Sequence, residues 1–189
     1  MGGFEDNSVR VWNDLDSKPI MLMGHEDSVK SVNFLENNQI VSGACDNTII
    51  IWSLNIYSPS TKLVGHSDCI TGLVVLSNFS YMVSGSRDKT LIVWKNNGSN
   101  SFSWYKSNNM TGSVLTMAYK NFKNQNIIAT GLNDSTINIW NFDQDFSTSK
   151  TLYGHSYEVL SLTFAFSSSL NQTVLASGSR DTNSMIKIW

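Results

Sequence analysis

The chain has 189 residues, of which 41% are hydrophobic and 15% are charged, and its formal net charge is −2 at pH 7. This length and composition suffice for one domain with a buried core. The slightly negative charge argues against direct binding to nucleic acid, and we find neither an apolar run long enough to span a bilayer nor a secretory signal. We therefore expect a soluble protein that does not associate with membranes. We expect it in the cytoplasm, with the nucleus as a second location.

One segment, residues 84–94 (SGSRDKTLIVW), recurs from one end of the chain to the other. The other copies end at Trp12, Trp52, Trp140 and Trp189. Each copy runs from apolar residues through a turn that carries Asp to alternating aliphatic residues, which is typical of a β-hairpin. The spacing from Asp to Trp is the same in every copy except the last, so we predict a constant register and a looser turn at residues 182–184.

Taken in chain order, the predicted strands fall into groups. The chain begins within a group, with strands at residues 7–12 and 18–23. The first full group has strands at 29–35, 39–43, 48–52 and 61–64, and the second has strands at 69–76, 81–84, 90–94 and 101–106. The third has strands at 114–120, 126–130, 136–140 and 148–153, and the fourth has strands at 159–166, 173–177 and 185–189. The sequence therefore predicts an all-β chain.

Gly-His precedes three of the four full groups, at residues 24–25, 65–66 and 154–155. Gly-His, Ser-Gly or Thr-Gly, Asp and Trp at this period resemble the WD40 repeat, whose four-stranded sheets are the blades of a β-propeller. The resemblance implies a WD40-type β-propeller of about four blades plus a partial blade. We expect a partial blade at 1–23 and repeats at 24–64, 65–107, 108–153 (degenerate) and 154–189 (without its outer strand). Since the family usually has more blades, we expect a fragment of a larger propeller; the alternative is pairing of two copies through their open ends.

The resemblance also implies a buried chain of hydrogen bonds in each repeat. In it a His donates to the turn Asp, and a strand Ser bonds both the His and the Trp indole N–H. The expected sets are His25, Ser42, Asp46 and Trp52; His66, Ser84, Asp88 and Trp94; and His155, Ser177, Asp181 and Trp189. The third repeat keeps Thr130, Asp134 and Trp140 but has Asn109-Met110 in place of Gly-His, so no complete set is expected there and that blade should be the least rigid.

A Ser-His-Asp set also suggests a hydrolase, but this set recurs in three repeats whereas a catalytic site occurs once. We therefore expect no catalytic residue, no cofactor and no metal site.

Cys45 lies on a hairpin turn and Cys69 at a strand start in the next repeat, and we predict two reduced structural thiols.

The resemblance places other residues on the rim near the central channel. The candidates for partner binding are Lys30, Arg87, Asn133, Glu158 and Arg180, and Cys45 occupies an equivalent position. The cationic side chains among them, Lys30, Arg87 and Arg180, could bind an acidic or phosphorylated peptide. Trp104 and Tyr105, on a predicted outer strand, are candidates for an exposed contact or for packing against the neighbouring strand.

The resemblance implies a non-enzymatic protein–protein interaction scaffold that binds subunits of a multiprotein complex. The alternatives are a propeller enzyme with a channel site and an adaptor that recognises acidic or phosphorylated peptides. Within the family, the order of complete and degenerate repeats resembles the N-terminal propeller of the second subunit of Elongator. Segment 127–140 (IIATGLNDSTINIW) and the following LYGHSYEVLSLTFAF carry most of that resemblance. It implies a scaffold role in modification of the wobble uridine of transfer RNA.

Overall fold

The computed structural model describes residues 2–3, 6–14, 16–77, 79–98, 101–122, 125–143, 146–167, 172–181 and 186–189. In these ranges the chain forms antiparallel sheets and no helix, so the all-β prediction is confirmed. Accordingly, none of the described segments is a helix with the length and apolar character needed to cross a membrane.

Five sheets follow one another along the chain, and within each sheet the strands pair in sequence order. Sheet A contains β1 (Gly2–Gly3), β2 (Val9–Val11) and β3 (Ile20–Leu22). Sheet B contains β4 (Val29–Leu35), β5 (Gln39–Ala44), β6 (Thr48–Ser53) and β7 (Ser58–Val64). Sheet C contains β8 (Ile70–Val75), β9 (Tyr81–Ser86), β10 (Thr90–Asn96) and β11 (Phe102–Asn109). Sheet D contains β12 (Val114–Phe122), β13 (Gln125–Leu132), β14 (Ile137–Asn141) and β15 (Ser147–Leu152), and sheet E contains β16 (Val159–Ser167), β17 (Gln172–Ser179) and β18 (Ile186–Ile188).

Most strand ends lie within two residues of the sequence prediction, and three strands differ by more. Strand β7 begins at Ser58, three residues before its predicted start at residue 61. Sheet A has a further strand, β1, which pairs with β2 and was missed because Gly-Gly carries no side chain to mark a strand. Strand β11 continues to Asn109, beyond the predicted end at residue 106, because it pairs with β10 as far as Thr90. The looser turn predicted at residues 182–184 lies outside the described residues.

The hairpin turns explain why an Asp recurs. The Asp46 carboxylate accepts hydrogen bonds from the backbone N–H of Thr48 at 3.0 Å and from its hydroxyl at 2.7 Å. Between them, Asn47 adopts the left-handed conformation with φ of 65°. Lys89 and Ser135 follow the turn Asp in sheets C and D with φ of 66° and 71°. The Asp side chain thus stabilises a tight turn whose last residue needs a positive φ.

The chain forms two compact units, residues 1–109 and 110–189. In the first unit, Trp52 packs with Val29 and Ile40 of sheet B and with Leu22 of sheet A. Sheets B and C of this unit share another core, which includes Ile49, Ile51, Ile70, Leu73, Trp94 and Phe102. In the second unit, side chains from sheets D and E form a separate core, which includes Ile137, Leu152, Val159, Leu162 and Leu175.

A β-bulge lies near the start of the first strand in each of sheets B to E. The register shifts between Val29 and Ser31, so Lys30 has no partner on β5. The corresponding bulged residues in the other sheets are Thr71, Leu115 and Leu160. A bulge changes the direction of the extra side chain, so these residues do not follow the alternation of side chains between the two faces of the sheet.

Candidate functional site

The buried hydrogen bonds of sheet C join four side chains from four segments. His66 Nδ1 lies 2.9 Å from Asp88 Oδ2, and His66 Nε2 lies 2.7 Å from Ser84 Oγ. The Trp94 indole N–H donates to the same Ser84 oxygen at 2.8 Å. Because the indole can only donate, Ser84 accepts from Trp94 and donates to His66, and His66 donates to Asp88.

Sheets B and E bring together the corresponding residues. His25 lies 2.9 Å from Asp46 and 2.7 Å from Ser42, which accepts from Trp52 at 2.7 Å. In sheet E the His155–Asp181, His155–Ser177 and Trp189–Ser177 distances are 2.6, 2.7 and 2.8 Å. Each chain of hydrogen bonds connects the turn of its sheet to the third strand through the core.

Sheet D contains the two ends of this arrangement without the His. Trp140 donates to Thr130 Oγ1 at 3.1 Å, and Thr130 also lies 3.4 Å from the Asn138 carbonyl oxygen. At the other end, Thr111 Oγ1 donates to Asp134 at 2.5 Å, so a hydroxyl bonds the carboxylate that a His bonds elsewhere. The sequence interpretation missed Thr111, and it also missed the turn Thr that bonds the Asp in each of sheets B, C and D. The repeated Asp-X-Thr at 46–48, 88–90 and 134–136 is the signal that could have shown the latter.

Burial and hydrogen bonding shift the pKa values of these groups in opposite ways. Burial lowers the pKa of His25 and of His66, although the neighbouring carboxylates act in the other direction. For Asp46 and Asp88, burial alone raises the pKa, but hydrogen bonds from the turn and from the His outweigh it and hold the pKa below its usual range. The hydrogen bond from His155 likewise lowers the pKa of Asp181. Neutral His25 and His66 paired with an ionised Asp fit the donor and acceptor pattern above.

This geometry gives the Ser-His-Asp sets a structural role. Ser42, Ser84 and Ser177 are buried, and the lone pairs of each hydroxyl oxygen already receive an indole N–H. A nucleophilic Ser must reach a substrate and an oxyanion site, which these side chains do not do. Among the described residues, no group of three or more His, Cys, Asp or Glu side chains could hold a metal ion.

The candidate rim residues occupy turns and bulges. Lys30 is the exposed bulged residue of β4, and Arg87 is exposed in the turn of sheet C. Arg180 forms an exposed ion pair with Glu158, with 3.5 Å between Nη1 and Oε2. The side chain of Asn133 accepts the backbone N–H of Ser113 at 2.8 Å, so it links its turn to the residue before β12.

The two cysteines form a disulfide, so the prediction of two reduced thiols is wrong. Cys45 precedes the turn Asp of sheet B, and Cys69 immediately precedes β8 of sheet C. Packing brings them together because Gly43 lets Ile70 approach its backbone closely. Sequence spacing did not reveal this contact because it depends on the stacking of two sheets.

Trp104 and Tyr105 are both exposed, with 59% and 53% of their surface accessible. Two neighbours on a regular strand would face opposite sides, but β11 has a bulge here: Trp94 pairs with Trp104 and Val93 pairs with Lys106. Tyr105 also packs against Tyr81, with 5.6 Å between ring centres. The pair therefore forms an exposed aromatic patch on the outer strand of sheet C.

Comparison with protein families decides the assignment that these repeats suggest. The family model "WD domain, G-beta repeat" matches residues 17–53, 57–95 and 146–189, more than half of the chain. The chain belongs to the WD40-repeat family. Its sheets are blades of a partial β-propeller, which confirms the predicted fold class. The stretch between the second and third matches contains Asn109-Met110 and the incomplete hydrogen-bonded set of sheet D.

Curated relatives carry several different names. The chain is 26% identical to human "Apoptotic protease-activating factor 1" over 72% of the chain and 11% of the relative. It is 22% identical to "Ribosome biogenesis protein WDR12 homolog" of Drosophila virilis over 84% of the chain and 43% of the relative. It is 28% identical to "Protein tipD" of Dictyostelium discoideum over 83% of the chain and 25% of the relative. The chain thus spans less than half the length of each of these three relatives.

Proposed function

We propose that this WD40 chain is a non-enzymatic scaffold that binds other proteins through the bulge and turn residues of its blades. WD40 domains generally mediate protein–protein interactions. The observation that carries the proposal is the division of labour within the repeat. In sheets B, C and E the His, Ser, Asp and Trp side chains hydrogen-bond one another and hold the sheet. The bulged positions, in contrast, are chemically diverse, and none of them is fully buried.

We further propose that sheets B and C bind an acidic or phosphorylated segment of the partner. Lys30 and Arg87 lie near the two ends of the Cys45–Cys69 disulfide, which joins sheets B and C. Within sheet B, Cys45 N–H donates to Ser28 O at 3.0 Å, and within sheet C, Arg87 N–H donates to Cys69 O at 2.9 Å. Asp27 and Asp68 bring opposing charge, and each of their carboxylates is oriented by a backbone N–H that donates to it at 2.6 Å. Guanidinium and ammonium groups on a rigid support favour carboxylate and phosphate ligands.

The test is a peptide array in which identical sequences carry serine, glutamate or phosphoserine. The wild-type chain should retain the phosphoserine and glutamate members, and Arg87→Glu should reduce that retention about tenfold or more. Lys95→Glu makes the same charge change at an exposed residue of β10 and should leave retention unchanged. The double variant Arg87→Glu, Arg180→Glu should also reduce retention and leave the fold intact. Equal retention of the three peptide types by the wild-type chain would refute the acidic-ligand proposal and leave the scaffold proposal standing.

A narrower proposal is that the chain is the propeller part of an Elongator scaffold subunit. It is supported by the order of repeats and by segment 127–140 with the LYGHSYEVLSLTFAF that follows. Affinity purification from the native source should then recover the large scaffold subunit and the catalytic subunit, and loss of the chain should reduce modified wobble uridine. Recovery of a different assembly would remove the Elongator assignment only. Turnover of a small molecule that one substitution abolishes would instead favour the propeller-enzyme alternative.

For location, we propose the cytoplasm with a nuclear fraction. Relatives named for ribosome biogenesis and nuclear distribution support it. Fractionation of the native source with an antibody against the chain is the test, and recovery in the membrane pellet alone would refute the proposal.

A further inference from the structure

The disulfide between Cys45 and Cys69 joins two neighbouring blades, and Cys69 O accepts the backbone N–H of the candidate rim residue Arg87. The cysteines are 24 residues apart in sequence, one in the turn of sheet B and the other just before β8 of sheet C. We propose that this bond is a thiol–disulfide exchange site, opened by a low-molecular-weight thiol such as glutathione through attack on Cys45. The proposal stands independently of the scaffold function.

The two sulfurs lie in different surroundings, and this fixes the direction of attack. Cys69 is only 3% exposed, and its backbone is held on both sides, by the Asp68 carboxylate and by the Arg87 N–H. Cys45 is half-buried and lies in a turn. Because exchange requires the attacking thiolate to reach one sulfur in line with the other, Cys45 is the accessible end.

Opening the bond should not separate the blades. Ile70 packs against Gly43 beside the disulfide, and Asn33 Nδ2 donates to the Leu73 carbonyl oxygen at 2.8 Å across the same interface. Leu73 N–H in turn donates to Ser31 Oγ at 3.1 Å. These contacts hold the two cysteines near each other after reduction, so the bond can form again.

The exchange proceeds in two steps. A glutathione thiolate attacks Cys45 Sγ, the protein S–S bond breaks, and Cys69 leaves as a thiolate that takes up a proton. A second glutathione thiolate attacks the glutathione sulfur of the mixed disulfide and releases Cys45. In sum, the protein disulfide gains two electrons and two protons, and two glutathione molecules become oxidised glutathione.

The first experiment measures whether the bond responds to redox conditions in the folded chain. The chain is incubated in buffers of graded reduced-to-oxidised glutathione ratio, quenched with acid, alkylated and weighed by mass spectrometry. We expect the fraction of alkylated cysteine pairs to rise along one reversible two-electron curve approached from either side. Cysteines that stay fully alkylated, or fully protected, at every ratio would overturn the proposal.

The second experiment tests the direction of attack. Cys69→Ser leaves only Cys45, and Cys45→Ser leaves only Cys69. With oxidised glutathione, Cys69→Ser should form the mixed disulfide about tenfold faster than Cys45→Ser. The difference should vanish in denaturant, which serves as the control for intrinsic reactivity, and circular dichroism melts show whether each variant is folded. Equal rates in the folded variants, or faster reaction of Cys69, would contradict attack at Cys45.

Discussion

Ile70 lies so close to the backbone of Gly43 that a Cβ atom on Gly43 would stand 2.6 Å from Ile70 Cγ2. Both residues belong to the interface between sheets B and C, where Ile70 is 1% exposed. The absence of a side chain at residue 43 therefore sets the distance between two blades.

Gly43→Ala should accordingly destabilise the chain by about 1–3 kcal/mol, because the added methyl group overpacks a closed interface. Gly178→Ala is the matched control, since it changes the same Ser-Gly position in sheet E, where the nearest atom to the new Cβ is Ser161 Cβ at 3.8 Å. It should be neutral or slightly stabilising. Urea unfolding followed by tryptophan fluorescence measures both, and similar losses in the two variants would contradict the packing argument.

Asp88→Ala should lower the free energy of unfolding by about 2 kcal/mol or more. The substitution removes the carboxylate that accepts from Nδ1–H of the fully buried His66 ring and leaves it only the longer contact to Thr90 Oγ1 at 3.1 Å. It also removes the acceptor of the Ser67 N–H. Asp134→Ala should cost less, because its partners Thr111 and Thr136 are hydroxyl groups near the surface. Chemical denaturation of both variants provides the comparison, and an equal or larger loss for Asp134→Ala would count against the role of the His.

Stability should fall in two stages as the pH decreases. In the unfolded chain a His has a pKa near 6.5, whereas burial lowers the pKa of His25 and His66 in the folded chain. Below pH 6.5 the unfolded state therefore binds protons before the folded state does, and the free energy of unfolding falls. The hydrogen-bonded Asp46 and Asp88 have folded pKa values below 3.8, so their contribution is present above pH 3.8 and is lost below it.

Thermal melts at closely spaced pH values measure these stages. The variant His25→Asn, His66→Asn should have a lower melting temperature at neutral pH and a flatter profile in the upper stage. The loss of stability at the lower pH stage should persist in this variant, because Asp46 and Asp88 keep the hydrogen bonds from their turns. A wild-type melting temperature that does not change from about pH 7.5 to about pH 5 would show that the two His pKa values are not lowered.

Lys89→Asn should stabilise the chain by about 0.5–1 kcal/mol. Lys89 has φ of 66°, a conformation that Asn tolerates better than Lys, and Asn47 already occupies the equivalent position of sheet B. The reverse substitution, Asn47→Lys, should destabilise by a similar amount. Differential scanning calorimetry of the two variants checks the sign, and destabilisation by Lys89→Asn would mean that the Lys89 side chain has a role that the turn geometry does not show.

Most of the fold was accessible from the sequence because it repeats. Strand β4 was predicted with the bounds that the structure gives, since it is an apolar segment that follows Gly-His and the Asp turn after β5 marks the end of its hairpin partner. The structure also brings His66, Ser84, Asp88 and Trp94 together, although that grouping came from family resemblance rather than from spacing. Local pattern sufficed wherever strand, turn and strand are consecutive.

The sequence was insufficient where a contact depends on how sheets stack or on where a strand is irregular. Cys45 and Cys69 meet only because Gly43 admits Ile70, and neither cysteine carries a local signal of its partner. The bulge at Tyr105 cannot be read from alternation, since it is a departure from it. Thr111 was missed because it bonds Asp134, the equivalent of the carboxylates that a His bonds in other sheets, from a sequence position other than that of the His.

The bulges in the first strands of sheets B to E also affect how such a protein can change during evolution. The bulged residue lies outside the pairing register of the backbone ladder, so mutation at that position need not shift the register. The four repeats have a cation, a hydroxyl group and two aliphatic side chains there: Lys30, Thr71, Leu115 and Leu160. Each blade can therefore acquire a different surface chemistry at one fixed site, so that partner preference can diverge between duplicated genes while the architecture stays constant.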